Sequence, residues 1–140
     1  MSRYKQFLLM VTVSILFSIM NLSAYSEGHT PSALQAAASV LFIAVWFVFG
    51  LMSHSRWRDF ILVATIFWVG GAMLLAVGYV GNIDALFIPA AIVVPGPSYG
   101  IRYFWKAPSD ITFAFAITMI SYVSGILGLA VGQMTKLRSQ

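Results

Sequence analysis

From Phe60 to Val80 the chain carries no charged residue, a run of about 21 residues that as a helix would reach about 30 Å, the thickness of a bilayer's hydrocarbon core. A chain of 140 residues cannot wrap such a helix in a soluble shell, and the neighbouring stretches are just as apolar. Hydrophobic residues make up 60% of the sequence and charged residues 9%, against about 25% charged in soluble proteins. The expected fold is therefore an all-α integral membrane protein, a bundle of four transmembrane helices. The spans fall at about 6–25, 33–52, 60–80 and 111–133, in one domain covering 1–140.

The net charge of +4 is spread over the flanks of these runs rather than over a polar face. Basic residues in such places orient spans and meet anionic headgroups. No polar domain is present to offer nucleic acid a basic surface. The absence of cysteine removes thiolate metal sites and Cys nucleophiles. Arg3 and Lys5 before the apolar run Phe7–Leu22 resemble the start of a signal peptide, and Ala24-Tyr25-Ser26 resembles a cleavage site. The run is long for that purpose, and a retained first span is expected.

Residues 81–110 break the pattern. The apolar stretch Ala85–Val94 is too short to cross, and Pro89, Pro95, Pro97 and Pro108 interrupt any long helix. An irregular, Pro-rich interfacial or shallow re-entrant segment between the third and fourth spans is expected, with a broken fifth span from Ile83 to Ile101 as the alternative. Charge does not choose between them. With four spans Arg3, Lys5, Arg56, Arg58, Lys136 and Arg138 share one side; with five, Arg102 and Lys106 exchange places with Lys136 and Arg138. Length favours four, with both chain ends cytoplasmic in a plasma membrane of bacterial type.

Small and polar residues recur at helical spacing on each span: Ser14, Ser18 and Asn21 on the first, Gln35 and Ser39 on the second, Ala64, Trp68 and Gly71 on the third. On the last span Ser121, Ser124, Gly125, Gly128 and Gly132 are the expected helix-packing residues, because small side chains let backbones approach. Their partner is either another helix of the same bundle or a second copy.

Chemistry is harder to find. Transport and proton relay usually need an ionisable group inside the bilayer, and every charged residue and both histidines lie at span ends or in linkers. Gly96-Pro97-Ser98-Tyr99-Gly100 has the letters of a nucleophile elbow, but no His follows Ser98 and prolines flank it. Glu27, Asp84 and Asp110 with His29 offer a weak cation or hydrolytic site on the outer side; Asp110 has a simpler role as helix N-cap. No catalytic, cofactor or metal residue is assigned.

Tyr99, Arg102, Tyr103, Trp105 and Lys106 form the most suggestive stretch, since interleaved rings and cations suit the headgroup layer. They are the candidate contacts for anionic lipid headgroups or for a partner membrane protein. The expected function is that of a small non-catalytic membrane protein, a subunit or accessory of a larger membrane complex. The alternative is an oligomeric transporter or channel with Asn21, Gln35 and Ser39 at its mouth. An enzyme acting on lipid headgroups comes third.

Overall fold

The structure, a computed structural model, describes residues 2–106 and 109–138, with side chains through Lys136. Among these residues every regular element is helical. The long helices are α1 (Arg3–Glu27), α2 (Ala33–Met52), α3 (Trp57–Gly81) and α5 (Asp110–Arg138). A 3-10 turn, His54–Arg56, joins α2 to α3. Between α3 and α5 lie the ten-residue helix α4 (Asp84–Val93) and a 3-10 helix, Gly96–Tyr103.

Helix ends follow local chemistry. Ser32 and Gln35 close a capping box at the start of α2, with the Gln35 side chain 2.8 Å from the Ser32 amide. Gly28 ends α1 with φ 68°, a left-handed conformation that glycine adopts without a steric penalty. At the start of α5 the cap is Ser109, whose hydroxyl accepts from the Thr112 amide at 3.2 Å. This corrects the expectation for Asp110, which is the first helical residue and leaves its carboxylate for another partner. Pro108, expected to break the chain here, lies outside the described residues.

Among the described residues four helical stretches are long and apolar enough to cross a membrane, and α4 with the 3-10 helix passes the same test only as a pair bent by 65°. The outer surface suits lipid. Leu16, Ile19, Leu41, Ile66, Val77 and Leu127 are exposed, while Ser14, Ser18, Asn21, Ser39, Ser98 and Ser121 are buried. A water-soluble domain has the opposite distribution.

The α2–α5 contact sets the directions. Ser124 donates to the Ile43 carbonyl at 3.0 Å, a Cβ on Gly128 would collide with the Phe47 carbonyl, and Gly132 faces that of Leu51. Position advances along both helices together, so α2 and α5 run parallel. Asp110 therefore sits at the end of the bundle where α1 finishes and α2 begins. At the other end, Arg3 pairs with Asp59 at 2.6 Å. Next to that end lies a core of rings, Phe42, Trp46, Phe60, Phe67 and Trp68. Trp46 stacks on Phe67 at 5.7 Å between centroids and meets Trp68 edge-on at 5.0 Å.

Candidate functional site

The 3-10 helix is where this chain departs most from a plain bundle. Gly96, Pro97, Ser98, Tyr99 and Gly100 are all buried. The segment packs between α1 and α2, far from the edge position expected from sequence. Ser18, which touches Gly96, lies nine residues inside the end of α1, about 14 Å along its axis. The expectation of a chain running along the surface after Val94 is thus corrected: it first turns through the middle of the bundle.

Residue size permits the insertion. A Cβ on Gly96 would lie 2.6 Å from the Ser18 hydroxyl, and one on Gly100 would lie 2.7 Å from that of Ser39. Hydrogen bonds then hold the segment. Asn21 Nδ2 donates to the Pro97 carbonyl at 2.9 Å, and the Ser39 hydroxyl donates to the same oxygen at 3.0 Å. Ser39 Oγ in turn accepts from the Gly100 amide at 3.0 Å and from Asn21 at 3.2 Å. One donor and two acceptor positions are all a hydroxyl has, so Ser39 is fully used. Ser98 Oγ lies 3.4 Å from Ser121 Oγ on α5, so the elbow-like motif holds its serine against another hydroxyl rather than a base.

Beyond Gly100 the segment climbs to the end of the bundle. Arg102 bonds Asp110 at 2.6 Å and the Tyr99 hydroxyl at 3.4 Å, with its guanidinium 5.1 Å above the Phe113 ring. Of the stretch singled out in the sequence, Tyr99 is buried and Arg102 is turned into the fold. Tyr103 is 50% exposed and Trp105 39% exposed, and Lys106 is exposed beside them. Two hollows open at this end. One, of about 340 Å³, is lined by Tyr25, Tyr79, Phe87, Tyr99 and Asp110 over an apolar floor. The other, of about 230 Å³, lies between the Gly28–Pro31 turn and Tyr99, Arg102, Trp105 and Lys106. Gly28 and Tyr99 belong to both.

The remaining candidates separate. Ser121, Gly125, Gly128 and Gly132 lie on the buried face of α5, and Ser124 is half-buried. His29 pairs with Glu27 at 3.3 Å, while His54 bonds the Leu51 carbonyl at the opposite end. Among the described residues no three His, Cys, Asp or Glu side chains gather as metal ligands. Gln35 bonds the Met20 carbonyl and Ser23, both at 3.2 Å, tying α2 to α1. Sequence reasoning missed the pairing of Asn21 and Ser39 with Pro97. The signal was the glycine pair at 96 and 100, whose spacing puts two gaps in side-chain cover on a short segment.

The fold and site define an all-helical bundle with several long apolar helices and a buried, hydrogen-bonded Pro-Gly segment. No family model, curated protein or solved structure matches this chain. Its function has to be read from the geometry.

Proposed function

We propose that this chain is a small non-catalytic integral membrane protein that serves as a subunit or accessory of a larger membrane complex. Its four spans carry both chain ends to the cytoplasmic side of a plasma membrane. The pair formed by α4 and the 3-10 helix is a re-entrant segment that enters and leaves at the outer face. The parallel run of α2 and α5 supports this count, because an extra crossing would reverse α5.

The observation that carries the reading is the bonding around Pro97. Non-helical backbone at membrane depth is tolerated where protein covers it or water reaches it. Here Asn21, Ser39 and Ser121 turn onto the segment and cover it. Those bonds weigh against a solute path with Asn21, Gln35 and Ser39 at its mouth. The α5 glycine seam faces α2, which favours small-residue packing inside one chain over association of copies through that helix. What projects is the turn Tyr103–Lys106, the surface we assign to headgroups and to a partner.

Cysteine substitution tests the topology and co-purification tests the role. Cysteine at Ser26 should react with an impermeant reagent in intact cells, and cysteine at Ser2 or Ser55 should be shielded. Tagged protein extracted from its native membrane should retain a second membrane protein, and replacing Tyr103 and Trp105 with Ala should release it. Recovery of the bare chain after gentle extraction and cross-linking would sink the subunit reading.

A further inference from the structure

We infer that the two hollows beside Tyr99 form one binding site for a phospholipid whose headgroup carries both a phosphate and a primary ammonium. This deepens the proposed function and rests on its assignment of that end to the headgroup layer.

The hollows have complementary chemistry and share a wall. The larger one is lined by the rings of Tyr25, Tyr79 and Phe87 together with Asp110. Ring faces and a carboxylate together attract a small organic cation. Asp110 Oδ1 is taken by Arg102, but the side chain is 88% exposed, so Oδ2 remains open to a donor. A primary ammonium can hydrogen-bond to that oxygen and to the tyrosine hydroxyls, which a quaternary one cannot.

The smaller hollow is lined by basic groups, of which Arg102 is paired with Asp110 and His29 with Glu27. Arg102, Lys106 and His29 line it, and no carboxylate among the described residues pairs with Lys106. A phosphate placed there would meet Lys106 directly and the open N–H groups of Arg102, a fork suited to phosphate oxygens. The wall between the hollows is Tyr99 and Gly28. Gly28 has no side chain, and the space a Cβ would take on it is open, so no side chain rises between the two halves at that residue. A headgroup with two carbons between phosphate and ammonium has its charges in the same order as this wall. Leu75 and Ile111 form part of the apolar floor of the larger hollow.

The same arrangement predicts selectivity. An anionic lipid satisfies the basic hollow but leaves the aromatic one without a cation and brings a hydroxyl-bearing headgroup near Asp110. Delipidated protein in detergent, titrated with phosphatidylethanolamine, phosphatidylglycerol and phosphatidylcholine and read by native mass spectrometry, tests this. Phosphatidylethanolamine should be retained at least about fivefold better than either of the others, about 1 kcal/mol. Asp110→Asn should reverse the order and favour phosphatidylglycerol, because it removes the acid and leaves Arg102 unpaired. Tyr79→Leu, on an exposed ring, should lower phosphatidylethanolamine retention alone and serves as the second variant if Asp110→Asn unfolds. Lys106→Gln should weaken all three lipids.

Equal retention of the three lipids by the parent protein would overturn the site, as would an unchanged preference in both Asp110→Asn and Tyr79→Leu. Equal protection by water-soluble glycerophosphoethanolamine would overturn the lipid and point to a free headgroup. Failure of the protein to enter liposomes would instead overturn the membrane reading beneath it.

Discussion

Around Trp46 and Trp68 the helices meet through rings, whereas around Pro97 they meet through hydrogen bonds. The first region is tight but chemically plain: aromatic faces and edges at 5.0–5.7 Å, joined by Met10 and Leu129. In lipid, apolar groups gain little from leaving the solvent, so this region depends on shape and dispersion. The second has few large side chains and several polar atoms with fixed partners, Asn21 Oδ1 alone of that amide being left without one. Its stability comes from not leaving those atoms unpaired where water is scarce. Rings can be exchanged for others of similar volume at a graded cost. The donors on Asn21 and Ser39 have no such substitutes.

Substitutions at three sites, with one control, would break or sharpen this contrast. The largest effect is expected from Trp46→Ala, which opens a cavity among stacked rings and should cost about 3–5 kcal/mol. The Trp46 indole nitrogen is buried without a partner. Trp46→Phe should therefore cost less than about 1.5 kcal/mol, since it keeps a ring and discards an unpaired donor. Thermal denaturation in detergent checks both, and a Phe variant as damaged as the Ala variant would mean the nitrogen has a role.

Gly128→Leu should come next, at about 1–3 kcal/mol, because its side chain would push the α5 backbone off Phe47. Gly70→Leu is the control. A Cβ there meets nothing within 4 Å, so its melting temperature should stay with the parent. If the two glycine variants melt together, the seam is not where α2 and α5 hold.

Ser39→Ala should have the smallest global effect, about 1–2 kcal/mol, and the most local one. It strands the Gly100 amide while Asn21 still holds the Pro97 carbonyl. Hydrogen exchange should rise in residues 98–103 and hardly change around Trp68. A uniform rise over the whole bundle would erase the distinction between the two regions.

Hydropathy alone locates the long helices, because a charge-free run of span length has few other uses. The polar faces are legible for a related reason: Ser14, Ser18 and Asn21 share one side of α1 by spacing, and all are buried. Depth was not legible. Ala85–Val94 reads as too short to cross, which says nothing of where the next residues go. That is decided by Asn21 and Ser39, which lie 76 and 58 residues from Pro97. Ser109 rather than Asp110 caps α5 through the Thr112 amide, and Arg102, eight residues before Asp110, engages its carboxylate. Local patterns set helices, and distant partners set the site.

The inserted segment also fixes a schedule. α1 and α2 touch each other sparsely and are joined mainly through the 3-10 helix between them. A ribosome adding about 5–20 residues per second needs about 3–12 s to travel from Ser39 to Gly100. Throughout that interval the nascent hairpin lacks the Pro97 carbonyl and the Gly100 amide that Asn21 and Ser39 bind in the finished fold. Whatever receives the chain during synthesis has to shelter Asn21 and Ser39, or keep the hairpin near water, until Gly96–Tyr103 arrives to close it.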